Sequence, residues 1–154
     1  WKNLCGWHQL FPSGCAWGRR NFGKIPPRYL PSGCQPIRTL LPYYQKLSKK
    51  YRLFLLSNTD AIHIEKFEHK VGISFARDFY QCFDKVFFSF EIGMRKPSED
   101  VFKFVIQNQG LQPNKTLFID DKKDNTDTAE KLGMVVWNLI PGKEDVVNLF
   151  DKKF

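Results

Sequence analysis

Strands that alternate with helices at βαβ spacing predict an α/β fold. The expected form is a Rossmann-like three-layer core in which a parallel sheet is covered on both faces. Three observations carry this. Tyr51 to Leu56 is a continuous β-prone apolar run of the kind that fills a fully buried strand, Thr116 to Ile119 is another, and apolar positions recur at helical spacing from Ala61 to Val71 and from Val101 to Ile106.

The elements follow in order. After Leu56 come Ser57-Asn58-Thr59-Asp60 and then Ala61, Ile64, Phe67 and Val71, a polar turn leading into an amphipathic helix. Lys85 to Phe90 reads as a second strand. Ser98-Glu99-Asp100 then opens a helix with Val101, Phe102, Val105 and Ile106 inward and Gly110 as its stop. The strand from Thr116 to Ile119 ends in Asp120-Asp121. A helix from about Asp124 to Leu132 stops at Gly133, and Met134 to Ile140 makes a fourth strand before Pro141-Gly142.

With 154 residues, 42% hydrophobic and 26% charged, the composition is that of one soluble globular domain. No apolar run approaches the roughly 18 residues of a membrane span. No charged-then-apolar leader is visible behind Trp1, so a cytoplasmic protein, or a fragment of one, is expected.

The net charge of +8 is confined to one end. Residues 1–50 hold nine basic and no acidic residues, whereas residues 51–154 hold 15 basic and 16 acidic ones. The first segment also has three of the four Trp, three of the four Cys and six of the nine Pro. Pro12, Pro26, Pro27, Pro31, Pro36 and Pro42 interrupt every window long enough for a helix, so residues 1–42 are expected to be irregular and 43–154 to form the α/β core. Cys5, Cys15, Cys34 and Cys82 contain no Cys-x-x-Cys pair, which leaves free thiols as the expectation. Arg19, Arg20, Lys24 and Arg28, with Trp7, Trp17 and Phe22, could form a basic aromatic arm for single-stranded nucleic acid, but no nucleic-acid motif accompanies them and such a partner is not expected. A segment this rich in Trp, Cys, Arg and Pro with no acidic residue also reads as translation in a shifted frame, and then as foreign to the fold. The other frames of the encoding DNA decide that point.

A parallel sheet gathers reactive groups at the carboxyl ends of its strands, where helix N-termini converge. Three such ends are polar here: Ser57-Asn58, the loop carrying Arg95-Lys96-Pro97, and Asp120-Asp121. A hydroxyl with neighbouring N–H groups, an ammonium and a carboxylate pair are the parts needed to hold a phosphoryl group beside a divalent cation. Each has a plainer alternative. Ser57, Asn58 or Asp60 could cap the next helix, Lys96 could be a solvated loop residue, and the acidic run from Asp120 to Asp127 could be a solvated turn.

Taken in order along the chain, Ser57-Asn58-Thr59, Gly93-Met94-Arg95-Lys96-Pro97 and Phe118-Ile119-Asp120-Asp121 with Asn125 and Gly133-Met134 resemble three of the four motifs of the haloacid dehalogenase-like (HAD) hydrolase superfamily. The resemblance covers roughly residues 43–140 and points to small sugar-phosphate phosphatases of the subgroup with a helical cap. It implies that Ser57 donates to a phosphoryl oxygen with Asn58 adding an N–H. It implies that Lys96 neutralises charge on the nucleophile and the transferring group, that Asp121 and its neighbour Asp120 serve a Mg²⁺ ion, and that Asn125 orients the acidic loop. Thr128 departs from the small residue usual at its position.

The larger departure is the missing first motif. The family's nucleophile and general acid/base form an Asp-x-Asp pair after the first strand, and before Asp60 this sequence has no Asp. The cap that selects substrate normally lies between the first and second motifs, where the basic segment stands. Loss of a nucleophile costs about 10⁴ to 10⁶ in rate, so little or no turnover is expected of the chain as written. Without a first strand, Tyr51–Leu56 and Thr116–Ile119 are expected to carry unpaired edges. The expected partner is a small phosphorylated metabolite. The rival readings are a catalytically inactive HAD-fold binding module and nucleic-acid binding through the basic segment.

Overall fold

The structure, a computed structural model, describes residues 3–5, 37–141 and 143–151, with residues 3–5 and 37–39 as backbone only. A five-stranded sheet forms the middle layer. Its strands are β1 (Asn3–Cys5), β2 (Arg52–Ser57), β3 (Lys85–Phe88), β4 (Thr116–Asp120) and β5 (Val135–Asn138), in the order β3-β2-β1-β4-β5. All the pairings are parallel. The helices are α1 (Ile37–Ser48), α2 (Ala61–Val71), α3 (Ile73–Tyr80), α4 (Ser89–Ile92), α5 (Glu99–Gln109) and α6 (Lys123–Lys131), with 3₁₀ turns at Pro113–Lys115 and Val146–Asp151. No helix among the described residues is long and apolar enough to cross a membrane.

Strand side chains alternate between two cores, as a pleated sheet covered on both faces requires. Leu53 and Leu55 of β2 and Leu117 and Ile119 of β4 point to a core shared with Leu40, Tyr44 and Leu47 of α1, Phe67 of α2 and Phe79 of α3. Phe54, Leu56 and Phe118 point the other way, against Val101, Phe102 and Val105 of α5 and Ala129 of α6. The helix ends are those the sequence marks. Asp60 caps α2 by accepting the His63 N–H at 2.9 Å. Ser98 caps α5, which Gly110 ends in the left-handed conformation at φ 60°.

Four expectations need correction. Residues 1–42 are not coil throughout: Asn3–Cys5 is a strand, and α1 begins at Ile37 and runs across residue 42. Pro42 sits inside α1 although it has no N–H to give, because Leu40, Tyr44 and Leu47, spaced four and three apart, bury one face of the helix and outweigh the missing bond. The edges of β2 and β4 are not left unpaired, since β1 lies between them, with Leu4 in register with both Leu53 and Leu117. Finally, the second strand stops at Phe88, where Ser89 and Phe90 turn into α4, and α3 was not foreseen. Residues 6–36, including the basic and aromatic positions from Trp7 to Arg28, lie outside the described residues.

Candidate phosphate site at the strand ends

Strands β2 and β4 flank the central strand and end in polar residues on the same side of the sheet. In a doubly wound parallel sheet this is where connections leave in opposite directions and open a crevice. β2 delivers Ser57, 4% exposed, and β4 delivers Asp120, 1% exposed. A buried lysine joins the two strands. Lys96 Nζ donates to Asp120 Oδ2 at 2.7 Å and to the Leu56 carbonyl at 2.8 Å, and both charged side chains are fully enclosed. Lys96 also lies with Nζ 5.6 Å from the centre of the Phe118 ring.

The other carboxylate oxygen of Asp120 is held too. Oδ1 accepts the Lys122 N–H and an amide hydrogen of Asn125, each at 2.9 Å. Burial alone would raise the Asp120 pKa. The Lys96 charge and the hydrogen bonds from Lys96, the Lys122 N–H and Asn125 together outweigh burial and hold the carboxyl below its ordinary range. Asn125, buried on α6, thus stands where it can fix the acidic loop.

Of the plainer readings, helix capping holds for Asp60, and solvent exposure does not hold for Lys96 or Asp120. Asp60, rather than Ser57 or Asn58, caps α2, and the Ser57 hydroxyl makes no hydrogen bond among the described residues. Lys96 and Asp120 are not solvated. The structure therefore brings Ser57, Asn58, Lys96, Asp120, Asp121 and Asn125 together, since Lys96 bonds the residue before Ser57 and the residue before Asp121.

Some contacts are not legible in the sequence. The Asn58 side chain accepts the Lys96 N–H at 2.9 Å and donates to the Lys96 carbonyl at 2.7 Å, across 38 residues. Ser89 Oγ accepts the Thr59 N–H at 3.0 Å and donates to the Thr59 carbonyl at 2.8 Å. Both are side chain to backbone clamps between distant segments, for which local spacing offers no signal. An open groove lined by Glu68, Ile73, Ala76, Arg77, Tyr80 and Gln81 shares no residue with the strand-end set.

Among the described residues no group of three His, Cys, Asp or Glu side chains converges. Asp120, expected as a ligand beside Asp121, has its two oxygens engaged by Lys96, Lys122 and Asn125. The Asp121 carboxylate beside it is partly buried and is a hard oxygen donor of the type Mg²⁺ takes one or two of while keeping its waters. It fits such an ion as one ligand and does not complete a site alone.

Comparison with known proteins is consistent with this geometry. A family model described as haloacid dehalogenase-like hydrolase matches residues 32–133. The D-ribitol-5-phosphate phosphatase of Bacteroides thetaiotaomicron is 31% identical over 93 residues, covering 60% of this chain and 45% of that protein. The glyceraldehyde 3-phosphate phosphatase of Methanocaldococcus jannaschii is 26% identical over 132 residues, covering 79% and 56%. Among solved structures, a HAD family enzyme from Bacteroides thetaiotaomicron, in complex with magnesium and inorganic phosphate, superposes with a TM-score of 0.64 at 35% identity, covering 76% of this chain and 57% of that one. The chain spans about half the length of the curated relatives it matches.

Proposed function

The chain belongs to the haloacid dehalogenase-like hydrolase family, and from that premise we propose that it carries the lysine and acidic-loop half of a Mg²⁺-dependent phosphatase for a small, sugar-phosphate-like monoester. The observation that supports this most is the enclosed Lys96, which ties the strand end at Leu56-Ser57 to the strand end at Asp120-Asp121. A structural ion pair gains nothing from sitting at the crevice end of a parallel sheet. A site that must offset phosphoryl charge does.

The roles follow from the placement. Ser57, whose hydroxyl makes no hydrogen bond among the described residues, donates to a phosphoryl oxygen. Lys96 supplies positive charge, and at about 4 Å an ion pair in such a setting is worth roughly 4 kcal/mol at an effective dielectric near 20. Asp120 and Asn125 keep that ammonium and the acidic loop in place. Asp121 contributes one ligand to Mg²⁺, which when bound would neutralise charge on the phosphate oxygens. The names of the two curated relatives, both phosphatases of small phosphorylated metabolites, support the substrate class.

The family's attacking Asp-x-Asp pair has no match before Asp60, so we expect phosphate to bind and turnover to be absent or very low in the chain as it stands. The same observation favours a second reading, a HAD-fold module that binds and does not cleave. Titration calorimetry with inorganic phosphate tests the site. Binding that needs Mg²⁺ and is lost in Lys96→Ala is expected, and no binding by the folded chain at millimolar phosphate counts against it. Release of phosphate from an aryl phosphate, abolished by Lys96→Ala, would exclude the binding-module reading.

A further inference from the structure

The loop after β2 and the segment around Lys96 come from parts of the chain that share no secondary-structure element, and one side chain joins them. Asn58 accepts the Lys96 N–H at 2.9 Å and donates to the Lys96 carbonyl at 2.7 Å, so a single carboxamide satisfies both main-chain groups of the residue whose ammonium lies between Leu56 and Asp120. We propose that Asn58 is a positioning residue: its side chain fixes the Lys96 backbone against the Ser57 loop, so that the hydroxyl of Ser57 and the ammonium of Lys96 meet one phosphate as a preset pair.

The stereochemistry supports this over a direct phosphate contact by the Asn58 side chain. Both polar atoms of the carboxamide are already directed at Lys96, so a ligand would meet at most the second amide hydrogen, whereas the backbone N–H of Asn58 belongs to the loop that the clamp holds. The clamp is braced from the other side. Ser89 grips both main-chain groups of Thr59, so the residues on either side of the Asn58–Thr59 peptide are each tied to a different segment. Lys96 is long and flexible, and enclosing its side chain carries a rotamer cost that a fixed backbone reduces. Without the clamp, the Lys96 ammonium would have to be held by its head-group bonds alone.

The inference rests on the phosphate reading only for its consequence, and two readouts separate them. In the full chain, acylation of Lys96 by acetic anhydride, followed by mass spectrometry, measures how tightly the lysine is held without any ligand. Binding of inorganic phosphate with Mg²⁺ measures the consequence. Asn58→Ala is expected to raise Lys96 labelling at least about tenfold and to weaken phosphate binding by a similar factor, the scale of two lost hydrogen bonds, with the melting temperature lowered by a few degrees. Asn58→Asp, nearly isosteric and able to accept from the Lys96 N–H but not to donate, is expected to fall between and serves if the alanine variant does not fold. Labelling of Lys96 that stays at the wild-type rate in both variants overturns the proposal, as does phosphate affinity equal to wild type in a variant whose Lys96 has become reactive. If the wild-type chain binds no phosphate while Asn58→Ala exposes Lys96, the clamp stands and the phosphate reading falls.

Discussion

Lys96 Nζ lies 2.7 Å from Asp120 Oδ2, with neither side chain reached by solvent, and the lysine's second bond goes to the carbonyl of Leu56 on a different strand. A buried pair of this kind adds little net stability, because desolvation of both ions offsets their attraction. Removing one partner is another matter, since it strands a charge in the interior.

Asp120→Leu is therefore expected to destabilise the fold by about 3 to 5 kcal/mol, and Lys96→Met by a similar amount, while the double variant Lys96→Met/Asp120→Leu recovers most of the loss. Urea unfolding of the four proteins checks this. Additive losses in the double variant would show that the two side chains do not act as a pair.

Acid sensitivity follows from the same pair. The Asp120 pKa is lowered in the folded state, as Lys96 and the neighbouring hydrogen bonds outweigh burial. A group with a depressed folded pKa stabilises above its unfolded value, about 3.9 for Asp, and that contribution is lost as pH falls below this toward the folded value. Stability should thus be level with respect to this group from pH 7 to about 5 and fall below about pH 4. In Asp120→Asn the part of the acid slope due to this group should vanish. A wild-type slope retained in full by the variant would remove Asp120 as its source.

Phe118 ties the site to the core. Its ring meets Phe102 edge to face at 5.1 Å and 81° and lies beneath the Lys96 ammonium. Phe118→Ala should cost about 3 to 5 kcal/mol, whereas Phe118→Leu should cost less while still loosening Lys96. Thermal or urea unfolding gives the first comparison, and phosphate affinity gives the second.

Gly93 starts the segment that carries Lys96 and has φ 66°, and apart from its chain neighbours no atom of the described residues lies within 4 Å of where a Cβ would stand. Gly93→Ala should therefore cost only the left-handed strain, roughly 1 to 2 kcal/mol, with no steric penalty added. A loss well above that in urea unfolding would mean that the turn is more crowded than this.

The strands and helices of the second half were legible because their signals are local. A buried apolar run marks β2 and β4, and Ser98 and Gly110 bracket α5. Ser57, Lys96 and Asp120-Asp121 were legible by their place after strands and by their order along the chain. What stayed hidden depends on distant partners. The three residues of β1 show no period of their own and are strand because β2 and β4 both pair with them. Pro42 masked α1, although Leu40, Tyr44 and Leu47 already had helical spacing. Adjacent carboxylates at a strand end need a cation or a hydrogen-bond donor beside them, and for Asp120 the structure supplies Lys96, 24 residues away in sequence and out of reach of local spacing. The clamp from Asn58 to Lys96 belongs to the same class.

One phosphate and Mg²⁺ are proposed to meet Ser57, Lys96 and Asp121 together. Backbone amide NMR during titration with inorganic phosphate and Mg²⁺ tests it most directly. The amides of residues 57–59, 95–96 and 121–122 are expected to shift as one set with a single dissociation constant, and none of them to respond in Lys96→Ala. Shifts confined to residues 19–28, or spread over the surface without saturating, would contradict it.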